Sequence, residues 1–303
     1  MVDITHKNNT LRIATAQAIV KVSKRETITA IQNKSVPKGD VFEMSKTAGL
    51  LGVKKTPFLL PDCHPLPIEF TAVAFEINAL EIRITMTVKT IYKTGVEVEA
   101  MHGVSIVALT MYDMLKPIDK GVEIHRIKLL RKKGGKSSFK NRFKQPLTAS
   151  VIVCSDSISA GEKEDKAGKA IVAKLEESGV MIHKYEIIPD ETELIQQKAK
   201  TYSQQNINLI IFTGGTGLSP RDVTPEALLP LMEQRIPGIE ETIRNYGQNR
   251  TPYAMLSRSV AGIMGKSLVL ALPGSTNGAK ESMDAIFPSV LHIFGILKGR
   301  GHN

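Results

Sequence analysis

A chain of 303 residues, 42% of them hydrophobic and 23% charged, is long for one domain and comfortable for two, each able to bury a core. Its net charge of +10 is one-sided: residues 1–145 hold 24 Lys and Arg against 13 Asp and Glu, and residues 146–303 hold 16 against 17. With no Trp, 5% aromatics and only two cysteines, Cys63 and Cys154, the composition argues against a nucleic-acid surface, a disulfide scaffold and a metal knuckle, and for a small polyphosphate ligand of the basic half and free thiols in a reducing cytoplasm.

In chain order, Ile13 to Val20 reads as a short helix and Ser23 to Asn33 as a second. Lys38-Gly-Asp40 precedes a helical pattern through Met44, Ala48, Leu51 and Val53, which Lys54 and Lys55 end. Three prolines in LLPDCHPLP fix Cys63 and His64 in an ordered, non-helical loop. Residues 68–78 and 80–90 predict a hairpin. In its second strand Ile82, Ile84, Met86 and Val88 alternate with Arg83, Thr85, Thr87 and Lys89, the period of a sheet with one solvated face. Helical cover comes from Glu97 to Lys116, where Met101, Val104, Ala108, Met111 and Leu115 recur at three- and four-residue steps. Thr94-Gly-Val-Glu97 predicts a capping box at its start, and Pro117 follows its end. Asp113 and Lys116 lie off that stripe, three apart; taken alone they are an ordinary surface ion pair. A lone His64 is likewise more often structural than catalytic. Val122 to Leu130 predicts a strand, and RKKGGKSS after it a basic turn fit to hold phosphate.

The domains are expected at 1–140 and 148–303, with 141–147 as linker. In the second, Thr148 to Cys154 predicts a strand, Asp165 starts a helix that Gly179 ends, and strand His183–Ile188 follows. Pro189-Asp190-Glu191 opens the next helix. The apolar run 207–212 then leads into TGGTGLSPRDVTPEA: Gly214, Gly215, Thr216 and Gly217 expose backbone amides to an anion, Arg221 offers a cation to phosphate, and Asp222 offers a carboxylate to a metal or a proton. Thr224 is placed as the cap of a helix with Pro225 at its first position. A final strand, Ser267 to Leu272, ends in Pro273-Gly-Ser275-Thr276, another anion-competent turn. Strand alternating with helix predicts an α/β three-layer, mostly parallel sheet with ligands beyond the strand carboxyl ends. No run of about 18 apolar residues appears, and the N-terminus lacks a signal-peptide core.

VDIT, KGDVFEMSKTAG, LLPDCHPL, KTGVEVEAMHGVSIVALTMYDMLKPIDK and LLRKKGGKS, in that order, resemble MoaC, the cyclic pyranopterin monophosphate synthase of molybdenum-cofactor synthesis. The resemblance implies a ferredoxin-like α+β fold, a homo-oligomer (trimer or hexamer) with active sites shared between dimer partners, and conversion of 3′,8-cyclo-7,8-dihydro-GTP to cyclic pyranopterin monophosphate with release of pyrophosphate. It implies an acid/base pair at Asp113 and Lys116, further site residues at Lys38, His64, Glu97, Glu99 and Lys132 beside Cys63, and no tightly bound cofactor. Two departures are Asp62, where Leu is usual, and His102-Gly103 in place of small residues. CSDSISAGEKEDKAG, PDE, TGGTGLSPRDVTPEA, IPGIEE, LSRSVAG and LALPGS resemble the MoaB/MogA family of molybdopterin-binding proteins. That implies molybdopterin and Mg-ATP as ligands, adenylylation of the pterin, and Asp190 and Asp222 as the functional aspartates toward Mg²⁺, with Ser275 on the same rim. Ser157 stands where catalytic relatives carry Arg, so the alternative is a non-catalytic pterin-binding or assembly module. Other molybdenum-cofactor biosynthesis proteins are the expected partners, with neither nucleic acid nor membrane.

Overall fold

The structure, a computed structural model, describes residues 1–135, 143, 145–297 and 299. Residues 136–138 of the basic turn and 141, 142 and 144 of the expected linker lie outside the described residues. The chain divides into two compact units, Met1–Phe139 and Lys140–Asn303. Among the described residues no helix is long and apolar enough to cross a membrane.

The first unit runs β1 (Thr10–Lys21), α1 (Arg25–Gln32), α2 (Val41–Leu59), β2 (Phe70–Asn78), β3 (Glu81–Tyr92), α3 (Glu97–Leu115) and β4 (Glu123–Lys133). Its antiparallel sheet has the order β2-β3-β1-β4, the ferredoxin-like arrangement. The expected helix at Ile13–Val20 is instead the central strand β1. Ala14, Ala16, Ala18 and Val20 are fully buried at every second position, so a period of two, obscured by helix-forming alanines, decides the conformation once β3 and β4 pair on either side. Asp40 caps α2 by accepting from the amides of Phe42 and Glu43 at 3.1 and 3.2 Å. The helix continues past Lys54–Lys55 to Leu59 with Pro57 inside it. Pro57 has no N–H for the Val53 carbonyl, and the Thr56 hydroxyl donates there at 2.9 Å. The predicted capping box does not form: Val96 precedes α3, no side chain caps it, and Glu97 turns to Lys132.

Helix α3 lays Val104, Val107, Ala108, Met111 and Leu115 on the sheet. It crosses α2 closely because glycines leave room. A Cβ on Gly49 would stand 2.3 Å from Val107 Cγ2, and one on Gly103 2.3 Å from Met86 Sδ and 2.4 Å from Val53 Cγ2.

The second unit runs β5 (Thr148–Cys154), α4 (Asp156–Ser159), α5 (Ala167–Glu177), β6 (Met181–Ile188), α6 (Thr192–Gln204), β7 (Leu209–Thr213), α7 (Thr224–Leu228), β8 (Gln234–Arg235), α8 (Pro237–Gln248), β9 (Val260–Met264), β10 (Ser267–Leu272), α9 (Thr276–Ile286) and α10 (Ile293–Ile296). The sheet order is β6-β5-β7-β10-β9-β8, parallel from β6 to β10 and antiparallel at β9 and β8. Leu209 and Ile211 face the cluster with α5, α8 and α9, whereas Ile210 and Phe212 face α6 and α7. Strands buried on both faces explain the unbroken apolar runs. The Asp165 carboxylate accepts from the amides of Gly168 and Lys169 at 3.0 and 3.1 Å and so starts α5. Thr224 is not the cap of α7 but its first residue, after Val223. Its amide donates to Gly215 O at 3.0 Å, which draws it into the turn.

Candidate active sites

Lys38 sits in the turn before α2, and Asp113 and Lys116 at the end of α3. Lys38 Nζ and Lys116 Nζ each lie 2.7 Å from one oxygen of the Asp113 carboxylate. The hydrogen bond from Lys116, then that from Lys38, pulls Asp113 down to about 2, and Asp113 in turn pushes Lys116 up. At neutral pH Lys116 is therefore a protonated amine beside the Asp113 carboxylate.

The other expected residues gather at the opposite end of α3. Lys132 on β4 pairs with Glu97 at 2.9 Å. Cys63 donates its thiol to Glu99 Oε1 at 3.1 Å; Glu99 is 2% exposed, and its Oε2 has no partner. Burial first of all raises Glu99, and burial with the Glu99 contact pushes Cys63 to about 12, so the thiol stays protonated. His64 Nε2 lies 2.8 Å from Val2 O. Arg12, which the sequence reading passed over, joins this end: Nε and Nη2 donate to the carbonyls of Tyr92 and Lys93 at 3.1 Å each. Glycines 134 and 135 close over it, since a Cβ on Gly135 would stand 2.1 Å from its Nη1. Desolvation lowers its pKa while Glu97 opposes that. A lone arginine in the run LRIATA was the available signal. Glu97 and Asp113 lie sixteen residues apart on one helix, about 24 Å at the α-helical rise. One chain thus brings the expected residues together as two clusters.

In the second unit Cys154, Ile188, Thr213 and Leu272 end β5, β6, β7 and β10, and the candidate residues follow them on one edge. A cavity of about 800 Å³ is lined by Thr216, Gly217, Arg244, Arg250, Tyr253 and Ser275. Beside it, one of about 210 Å³ is lined by Ser155, Asp190, Gly214, Gly215 and Asp222; Gly274 borders both. Glycine is required here: Gly214 and Gly215 have φ of +99° and +60°, and a Cβ on Gly215 would stand 2.3 Å from Thr224 Oγ1 and 2.6 Å from Asp190 Oδ1. The Ser275 hydroxyl accepts from the amide of Gly278 at 3.2 Å as the cap of α9.

Arg221 does not stand free. Its Nε and Nη2 lie 3.0 and 2.7 Å from Asp156 Oδ2, a contact that holds Asp156 below the usual carboxylate range. Asp156 Oδ1 accepts from the Asp190 amide at 3.0 Å, and Asp190 Oδ2 from the Asp156 amide at 3.2 Å. Asp156 therefore ties two expected site residues together, and sequence reasoning missed it. Asp190 Oδ1 is buried without a partner, and desolvation raises this carboxyl. Among the described residues no group of three or more His, Cys, Asp or Glu side chains forms a ready metal centre. The unpartnered Asp190 oxygen and the Asp222 carboxylate on the same small cavity suit a hard cation that takes its remaining oxygens from phosphate and water. Burial pushes the neighbouring Cys154 thiol to about 12.

Residues 1–135 match the MoaC family, and residues 150–292 match the family described as "Probable molybdopterin binding domain". The whole chain is 41% identical to a molybdenum cofactor biosynthesis bifunctional protein of Chlorobaculum tepidum, of which it covers 96%. It is 37% identical to the protein of that name from Synechococcus elongatus, again over the whole chain and 98% of the relative. Its first 45% is 50% identical to a cyclic pyranopterin monophosphate synthase of Clostridium perfringens, over 87% of that protein. The chain belongs to the family of bifunctional molybdenum cofactor biosynthesis proteins, a MoaC domain followed by a molybdopterin-binding-type domain.

Proposed function

We propose that the first unit is a cyclic pyranopterin monophosphate synthase that rearranges 3′,8-cyclo-7,8-dihydro-GTP and releases pyrophosphate. The observation that carries this is the Asp113 carboxylate held between Lys38 and Lys116 at 2.7 Å. Lys116 is the proton donor and Asp113 its conjugate acceptor. Asp113 at about 2 is a weak base at rest. A substrate phosphate that draws one ammonium away strengthens it at the moment of use. The cluster of Lys132, Glu97 and Arg12 is too distant for one nucleotide to touch both ends of α3. The working site therefore joins the Asp113 cluster of one copy to the Lys132 cluster of another in a homo-oligomer. Mixing inactive Asp113→Asn with inactive Lys132→Ala tests this: random pairing restores about a quarter of the sites, and no recovered turnover from a demonstrably mixed oligomer rejects it.

For the second unit we propose that molybdopterin occupies the larger cavity and Mg-ATP the smaller edge. The pterin's phosphate oxygen attacks the α-phosphorus, the bond to the β-phosphate oxygen breaks, and pyrophosphate leaves. Asp190 and Asp222 would hold Mg²⁺, which when bound neutralises triphosphate charge. Arg221 reaches the phosphates by exchanging Asp156 for them. One observation favours a non-catalytic pterin module instead: Arg221 is already paired with Asp156, and Ser157 supplies no second arginine. Calorimetric titration with Mg-ATP and an assay for adenylylated molybdopterin separate the readings. Molybdopterin binding without ATP binding or pyrophosphate release sinks the transferase, whereas activity lost in a folded Asp222→Asn variant supports it.

A further inference from the structure

The ten residues 214–223 between β7 and α7 hold no helix or strand, and keeping such a loop in one shape costs conformational entropy. Its base is closed by the Thr224 amide on Gly215 O at 3.0 Å, and its own ties close the tip. The Ser219 amide donates to Asp222 Oδ2 at 2.8 Å, the Asp222 amide returns to Ser219 O at 2.9 Å, and the Arg221 amide reaches Ser219 Oγ at 3.3 Å. The two shoulders are fastened by a residue from elsewhere. Arg258, two positions before β9, donates Nε to Gly217 O at 2.8 Å and Nη2 to Asp222 O at 2.7 Å, while Nη1 pairs with Glu226 in the first turn of α7.

A planar guanidinium can grip these three points together, and the point charge of a lysine cannot. All three of its nitrogens are engaged within the protein, and its side chain is 31% exposed. Arg221, by contrast, is 64% exposed and pairs with Asp156. The grip has a directional consequence. In a planar trans peptide the carbonyl and the following N–H point opposite ways. Turning the carbonyls of Gly217 and Asp222 to Arg258 turns the N–H groups of Leu218 and Val223 away from it. Asp222 is thereby fixed twice, at its carbonyl by Arg258 and at its carboxylate by the Ser219 amide. Its carboxylate lies against Gly217, where a Cβ would stand 2.8 Å from Oδ2.

We propose that Arg258 is a positioning residue that sets the shape of the 214–223 loop and through it the place of the Asp222 carboxylate, without touching ligand. Its effect on turnover rests on the adenylyl-transfer reading above; its effect on the loop does not. The test uses the full-length chain with Arg258→Lys and Arg258→Gln, the cyclic pyranopterin synthase rate as internal control for concentration, and the melting transition of the second unit as control for its folding. Hydrogen exchange at residues 217–223 should quicken about tenfold or more in Arg258→Gln and less in Arg258→Lys. The kcat for adenylylation should fall by about 10²-fold in Arg258→Gln, with KM for molybdopterin within about threefold. Unchanged exchange in Arg258→Gln overturns the proposal, and so does quickened exchange with unchanged kcat. If the wild-type chain neither binds Mg-ATP nor adenylylates molybdopterin, the transferase reading fails, and the exchange result alone upholds or overturns the clamp. Should Arg258→Gln not fold, Arg258→Lys carries the same measurements, and wild-type exchange and kcat in that variant overturn the role of the fork.

Discussion

Between Lys38 and Lys116, Asp113 of the free enzyme stays ionised down to about pH 2, so a fall of kcat/KM on acidification above that value has another origin. Lys116→Ala removes the proposed donor from a half-exposed side chain off the buried stripe. Turnover should fall by about 10² to 10⁴-fold with the melting temperature near wild type; near-normal steady-state turnover would refute the role. Glu99 behaves oppositely. Its folded value is raised above the ordinary 4.5 by burial, so the folded state holds its proton longer than the unfolded chain does. Stability is then full below about pH 4.5 and declines as pH rises through the raised value. Glu99→Gln should flatten that decline, which denaturant melts between pH 4 and pH 8 will show; an unaltered slope rejects a Glu99 raised by burial. Lys38, Asp113 and Lys116 were legible because a motif resemblance named them and helical spacing made two of them neighbours. Arg12 and Asp156 were not, since their partners lie far along the chain: Tyr92 is 80 residues from Arg12, and Arg221 is 65 from Asp156.

Elements declared themselves where one periodicity was undiluted. The β2–β3 hairpin and α3 follow the alternation and the three-four spacing read from the sequence. The unbroken apolar runs of β5, β7 and β10 announced a parallel sheet. Strand β1 was misread because alanine favours helix locally, and only pairing on both sides supplies the override. Strands β8 and β9 carried little signal: two residues in one, and Gly262 within the other. The closeness of α2 to α3 was also invisible, because a glycine reads as a weak helix former until its neighbours are known. Gly103→Ala forces a methyl to within 2.3 Å of Met86 Sδ and 2.4 Å of Val53 Cγ2. It should cost about 1 to 3 kcal/mol in urea unfolding. A variant as stable as wild type would mean that Met86 repacks freely and the crossing tolerates separation.

At the scale of the whole molecule, charge, periodicity and core all change near the same stretch of chain. The basic half folds as an antiparallel sheet covered by helices, and the neutral half as a mostly parallel three-layer sheet. Among the described residues the core of the first lies within residues 14–129, and the two core clusters of the second within 143–294. Each unit falls within the usual domain range of about 50 to 250 residues. Neither lacks a strand or a core layer that the other supplies. A chain of residues 146–303 should therefore fold alone, with a cooperative melt and a full far-ultraviolet helix and strand signal. The full-length protein should unfold in two transitions, one reproduced by that fragment. Because the first unit is proposed to assemble through shared sites, only its transition should move with protein concentration. Losing cooperative unfolding in the fragment while the intact chain retains it would show that the units are one folding body. A single concentration-dependent transition in the intact chain would say the same.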